Sequence, residues 1–362
     1  MSHVVLVAPA AFKGSFGPRQ VADALATGVR RAIPDATVLQ CPISDGGDGL
    51  LDTVLPKESL RESVVVTGPL GSKVQGVLGW LDSDTAIFES ATACGIALLR
   101  PDQLDPLRAT TRGVGELIWE AVDRGARTVV VGLGGSATVD GGSGAARGLG
   151  WTLRNQAGAS LPEGGGALVD IAGLDGGWGL EARVIALADV TTPLNEAARV
   201  FGPQKGATPE GVKRLATGLD VLAAEWARHG RPELAMLPGG GAAGGLGAGL
   251  AFFARAELIR GAEWVLDRVG FDAALASAEL LITGEGAFDR TSLVGKASGE
   301  VLRRAQAAKK KVAVVAGTVA DLIGVHALGG EGRTLDAEGI AALAERATRE
   351  SFGLSSGPYD TH

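Results

Sequence analysis

Along the chain, apolar β-branched runs alternate with stretches whose apolar residues recur at helical spacing. "HVVLVAP" (3–9) gives way to "RQVADALATGVRRAI" (19–33), and that in turn to "ATVLQCPI" (36–43). This rhythm predicts parallel strands joined by helical crossovers, because a strand covered on both faces reads as a continuous apolar run. Further strands are expected at "RTVVVGL" (127–133), "ARVIALADV" (182–190), "AELLITGEG" (278–286) and "KKVAVVAGTV" (310–319). Between about 62 and 91, "ESVVVTG", "GVLGWL" and "TAIFES" follow one another with no helix between them, which predicts a small antiparallel patch. The fold class is α/β, and the strand pattern changes near 70 and near 280, where domain boundaries are expected.

Glycine clusters sit just after several strands, where an α/β sheet collects its ligands. Two others, "PEGGGALVDIAGLDGGWG" (162–179) and "PGGGAAGGLGAG" (238–249), follow no strong strand, and the first reads as a surface excursion. A chain of 362 residues, 46% apolar and 21% charged, has material for two domains with their own cores. Its formal charge of −7 argues against nucleic acid, since phosphate backbones need clustered Lys and Arg and the one lysine run is Lys309-Lys310-Lys311. No apolar run approaches the ~20 residues that cross a bilayer, which argues against a membrane partner. "VVLVAPAA" (4–11) lacks the basic residue that precedes a secretion signal, so it reads as a first buried strand of a cytoplasmic protein. Two cysteines, Cys41 and Cys94, make neither a disulfide framework nor a zinc site. Oligomeric state leaves no trace in the pattern, and a homo-oligomer is compatible with it. The last ten residues, "GLSSGPYDTH", read as a loose tail.

The segment "VVVGLGGSATVDGGSGAARGLG" (129–150) runs a strand into a glycine turn and then into a helix expected from about Gly141. Such a junction can aim backbone N–H groups and a positive helix end at an anion, of which phosphate is the natural example. It is not a dinucleotide fingerprint, because no acid ends a second strand ~20 residues on, nor does it match a GxxxxGK[ST] loop. Gly134, Gly135, Ser136, Thr138 and Asp140 are the candidate phosphate contacts; the three polar side chains also suit turn and N-cap chemistry. Other strand-end loops share its character. "AAFKGS" (10–15) offers Lys13 and Ser15, "ISDGGDG" (43–49) offers Asp45 and Asp48, and "ITGEGAFDRTSLVGK" (282–296) offers Glu285, Asp289 and Lys296. "ADVTTPL" (188–194) adds Asp189, and "FGPQKGA" (201–207) adds Lys205. Lysines and carboxylates on glycine loops are what phosphoryl transfer needs: donors for the charged oxygens, a carboxylate for a divalent metal, and a base for the acceptor hydroxyl. The four histidines fall in no catalytic or metal-ligand pattern, and no nucleophile elbow is present.

The ordered blocks "FKGS", "DGGDG", "ATTRGVGELI" (109–118), "GLGGSATVDGG", "DVTTPL", "FGPQKGA", "GGGAAGGLG" and "ITGEGAFD" followed by "GK" resemble the bacterial-type glycerate kinase family over nearly all the chain except its C-terminal end. The resemblance implies an ATP-dependent, magnesium-requiring kinase that phosphorylates a hydroxyl of D-glycerate. It implies two α/β domains, a discontinuous flavodoxin-like one formed by 1–70 and 282–362 and a second formed by 71–281, with the active site in the interdomain cleft. On this pattern Lys13, Asp45, Asp189 and Lys205 are the catalytic candidates, with Asp45 and Asp189 as metal ligands. Gly134, Gly135, Ser136, Thr138, Asp140, Glu285 and Lys296 are assigned to nucleotide and phosphate, and Ser15, Asp48 and Asp289 to glycerate. Departures from the family pattern are Ala10 for aspartate, Ala11 for serine, Asp48 for glutamate and Leu50 for threonine. Val139 and Thr192 replace asparagines, Ala287 an arginine and Thr291 a glutamine, and the link after Leu194 is shortened. Two rivals remain: a kinase for another small hydroxy acid, and a binding protein that has lost the chemistry.

Overall fold

The computed structural model describes residues 3–12, 14–177, 179–293, 296–320, 326–330 and 335–354. In chain order its strands are β1 (Val4–Pro9), β2 (Thr37–Gln40), β3 (Arg61–Thr67), β4 (Lys73–Trp80), β5 (Thr85–Glu89), β6 (Thr128–Gly132), β7 (Trp151–Arg154), β8 (Gly173–Gly176), β9 (Arg183–Leu187), β10 (Glu257–Ile259), β11 (Leu280–Phe288), β12 (Lys311–Val319) and β13 (Ala327–Gly329). They fall into two compact units. One comprises 1–45, 52–56 and 261–362, and the other 46–51 and 57–260.

The first unit is a five-stranded sheet in the order β2-β1-β11-β12-β13, parallel throughout. That is the flavodoxin-like 2-1-3-4-5 order. Successive residues of β1 serve opposite faces, as strand geometry demands. Val5 and Val7 pack with Val21, Leu25 and Val29 of the helix Pro18–Ala32 and with Ile340 and Ala344 of the helix Ala337–Phe352. Leu6 and Ala8 pack with Leu266, Phe271, Leu275 and Val301 on the other side. The two helices on the first face meet so closely that a Cβ on Gly28 would lie 2.1 Å from the carbonyl oxygen of Ala341. The C-terminal helix stops at Gly353, in the left-handed region at φ 65°. Of the expected tail only Gly353 and Leu354 lie within the described residues.

The second unit holds a six-stranded sheet in the order β10-β9-β6-β5-β4-β3. Strands β5, β6, β9 and β10 are parallel, and β4 runs antiparallel to both neighbours, so the expected antiparallel patch is the end of this larger sheet. One core lies between the sheet and the helices Arg112–Asp123 and Ala242–Phe253; a second forms around the helix Pro209–Arg228. Within the segment expected to be a surface excursion, residues 164–168 pack inward instead. Gly165, Gly166 and Leu168 are buried, and Gly218 on the long helix has room for no side chain, since its Cβ would stand 2.9 Å from that of Leu168. Both cysteines are free and buried.

Gly28→Ala is expected to destabilise the protein by about 1–3 kcal/mol, because a backbone oxygen cannot yield as a side-chain end can. Denaturant unfolding checks this, with unchanged stability as the contrary result.

Candidate active site

The sheet of the second unit collects three adjacent parallel strand ends, those of β5, β6 and β9. β6 ends at Gly132 for a steric reason. The turn 46–51 passes over it, and a Cβ at Gly132 would lie 2.3 Å from the carbonyl oxygen of Gly46. At Gly134 a Cβ would stand 2.9 Å from the Gly47 Cα, and Gly135, at φ 57°, would meet the Asp48 carboxylate at 2.8 Å. Two glycine turns from distant parts of the sequence thus stack backbone against backbone, which only glycine permits. The chain then bridges to Gly95 at Ser136, with Ile96 N–H donating to the Gly135 carbonyl at 2.7 Å and Ala137 N–H to that of Cys94 at 2.8 Å.

Asp140 closes this loop from within. Its side chain is fully buried, and one carboxylate oxygen accepts from the N–H and hydroxyl of Thr111 (both 2.9 Å) and from Gly144 N–H (3.0 Å). The other accepts from Gly142 N–H at 3.1 Å. Ser143 N–H bonds the Asp140 carbonyl at 3.0 Å, and Ala145 N–H bonds the Thr111 hydroxyl at 2.9 Å. Burial raises the Asp140 pKa, while the Thr111 and glycine donors oppose the rise. Asp140 is thus seated inside the loop, with its carboxylate held by donors of the protein itself. The helix begins at Ser143 rather than near Gly141, and its first N–H groups are already occupied by a carboxylate and a hydroxyl of the protein itself.

Lys205 supports the same loop from the other side. It is 3% exposed, and its ammonium donates to the Ser136 hydroxyl and to the Thr138 carbonyl, each at 2.8 Å. Desolvation lowers its pKa to about 8, with Cys94 and Asp140 opposing the shift. Thr138 is fully buried, and its hydroxyl reaches the Ala243 carbonyl at 3.5 Å. There Ala243, Gly244 and Gly245 all have positive φ inside the helix Ala242–Phe253. At Gly244 a Cβ would fall 1.9 Å from the Thr138 carbonyl oxygen, so the "GGGAAGGLG" block is the steric complement of the loop. Val139, where the family pattern has asparagine, is fully buried in the apolar core.

The remaining candidates divide between the units. Asp189 follows β9 and is half-buried, and Asp48 is exposed on the 46–51 turn; both lie in the second unit with Ser136, Thr138, Asp140 and Lys205. Ser15 is exposed in a turn closed by its N–H to the Phe12 carbonyl at 2.9 Å, and Asp45 is the half-buried residue following Ser44; both lie in the first unit. So do Glu285, Asp289 and Lys296. Burial raises the pKa of Glu285, against the opposing effects of the Ser298 hydroxyl and the Lys296 ammonium 3.8 Å away. The Asp289 carboxylate accepts from Ser292 N–H at 3.3 Å. Lys13 lies outside the described residues. No three His, Cys, Asp or Glu side chains gather into a metal cluster among the described residues. Nothing in the spacing of the "ATTRGVGELI" block points to Thr111 as the partner of Asp140, 29 positions further on.

The model of the glycerate kinase family matches residues 5–344. The chain belongs to this family. It is 39% identical to glycerate 2-kinase of Escherichia coli (strain K12) over 334 residues, spanning 89% of this chain and 87% of that one. Against glycerate kinase of Bacillus subtilis (strain 168) the identity is 37%, with 87% and 85% covered. The fold matches the crystal structure of a Salmonella typhimurium LT2 protein assigned as glycerate kinase 2, with a TM-score of 0.84 at 37% identity over 98% of this chain and 99% of that one. The family and α/β expectations are borne out. No helix among the described residues is long and apolar enough to cross a membrane.

Asp140→Asn turns an amide N–H toward at least one of four donors and is expected to lower stability by about 1–3 kcal/mol in denaturant unfolding. Thr111→Val should match it and Thr111→Ser restore most of the loss; wild-type stability in both Asn and Val variants contradicts the role given to the pair. For Lys205, the folded pKa of about 8 lies below the ordinary 10.5. Across that window the unfolded chain holds a proton the folded chain has released, so stability gained from this group rises with pH. The stability of wild type relative to Lys205→Met should therefore be flat below pH 8 and grow from about 8 to 10.5, and a flat difference throughout excludes the shift.

Proposed function

We propose that this protein transfers the terminal phosphoryl group of ATP to the 2-hydroxyl of D-glycerate. Membership of the glycerate kinase family carries this reading, and the name of the Escherichia coli relative supports the choice of hydroxyl. The buried Lys205–Ser136–Thr138 arrangement supports it physically, because a loop held rigid from inside can present backbone donors without reorganising as charge develops.

In this reading the N–H groups of Gly134 and Gly135 meet phosphate oxygens, and Ser136 is oriented by Lys205. Asp140 and Thr138 hold the loop and touch no ligand. Lys13 neutralises the transferring phosphate or the substrate carboxylate, Lys296 and Glu285 serve the nucleotide, and Ser15, Asp48 and Asp289 serve glycerate. Asp45 and Asp189 hold magnesium or accept the hydroxyl proton. Magnesium commonly uses one or two carboxylates and completes its shell with phosphates and water, so half-buried single aspartates are suitable donors without a preformed cluster. When bound, it supplies charge neutralisation for the transferring group. The domain division proposed is the family's, with the flavodoxin-like domain contributed by both ends of the chain. Cytoplasmic location is part of the same proposal.

Phosphorus NMR of the protein with ATP, magnesium and D-glycerate tests activity and regiochemistry together. The expected spectrum shows ADP and 2-phosphoglycerate. Lys13→Ala and Asp189→Asn should each lower kcat by roughly 10²–10³-fold, the scale for a lost transition-state contact. Normal turnover in both variants rejects the site assignment, 3-phosphoglycerate rejects the regiochemistry, and ligand binding without ADP identifies the binding-only rival.

A further inference from the structure

A second cavity in the larger unit has no part in the roles assigned above. It encloses about 530 Å³ beside the hairpin that joins β3 to β4, and its lining includes Thr67, Leu70, Lys73, Arg108, Arg112 and Glu163. Three cations and the Glu163 carboxylate line it, with a second carboxylate, Glu116, behind Arg112, so one positive charge is left over in a chain whose overall charge is −7.

Arg112 is the built element of this wall. Its Nε donates to Glu116 at 3.0 Å and one terminal nitrogen to Glu163 at 2.7 Å, so two carboxylates set the plane of the guanidinium from two sides. Glu116 is itself anchored by the N–H of Thr67 at 2.7 Å and its hydroxyl at 2.9 Å. A guanidinium has five N–H donors, and these bonds leave part of the fork for a further acceptor. Lys73 reaches the Thr67 hydroxyl at 3.3 Å from the same side. Arg108 is exposed and stands where this cavity meets a neighbouring one of about 440 Å³. The acids of that neighbour are engaged elsewhere. Asp102 pairs with Arg100 at 3.1 Å, and Asp105 accepts from Leu107 N–H at 3.1 Å.

We propose that the Lys73–Arg108–Arg112 cavity binds a compact oxyanion, the phosphate or carboxylate of a small organic acid. An oriented arginine flanked by two exposed cations suits that chemistry: bidentate bonding from the fixed fork, and charge neutralisation from the exposed lysine and arginine. A volume of about 530 Å³ admits a small metabolite. The inference does not rest on the glycerate kinase reading, because the site is defined by its own lining and is read by binding rather than turnover.

The test is an NMR titration of the free protein with inorganic phosphate and, separately, malonate, at ionic strength held constant with sodium chloride. The amides of Gly71 and Arg108 should shift and saturate at millimolar anion. Saturation by both anions, or by one alone, supports the site and identifies whether phosphate or carboxylate is its preferred group. The double substitution Lys73→Ala and Arg108→Ala should weaken saturation at least tenfold while leaving the rest of the spectrum in place; both side chains are partly or fully exposed, so folding is retained. Amides that move only as they do in sodium chloride, or saturation equal in wild type and double variant, overturn the proposal.

Discussion

The candidate site depends on a carboxylate that never meets water. Asp140 lies fully buried at the turn between β6 and the helix that follows, and its donors come from Thr111 as well as from its own loop. In a low-dielectric surround each of those bonds is strengthened, and the loss of any one leaves a desolvated group unpaired. This is why a loop with so few side chains can hold a single shape. The buried ammonium of Lys205 places a countercharge on the same loop through Ser136 and the Thr138 carbonyl. The helix end is thereby saturated internally, by the Asp140 carboxylate and the Thr111 hydroxyl.

Glycine carries the other half of the design, and for two different reasons. At Gly132, Gly165 and Gly244 the missing side chain is space into which another backbone comes, with a hypothetical Cβ only 2.3, 2.0 and 1.9 Å from a carbonyl oxygen. At Gly71 nothing stands nearby, and the residue is needed for its φ of 87° in the β3–β4 hairpin. The six residues 46–51 show the first reason at its most consequential. They belong to the second unit and lie on its β6 turn, and glycines on both sides make that contact. A composition rich in glycine conceals this distinction.

Much of the molecule was legible in the linear pattern. Continuous apolar runs announced the parallel strands, and the missing helix between 62 and 91 announced the antiparallel end of the sheet. The ordered glycine-and-charge blocks announced the family. What local reading of polar residues in glycine loops could not show was their burial. Asp140 and Lys205 look like solvent-facing ligand groups when only their neighbours in sequence are considered; the first takes two of its donors from Thr111, 29 positions earlier, and the second reaches Ser136 from 69 positions away. Residues 164–168 read as surface because their partner, the helix Pro209–Arg228, lies far along the chain.

Sequence by itself determined the principal strands, the α/β class and the family, since periodicity and block order are properties of neighbouring positions. Tertiary structure alone decided which charges are sealed inside and which remain open to a ligand. Desolvation depends on what is folded over a group, and the segments that cover Asp140 and Lys205 are brought there only when the whole unit closes.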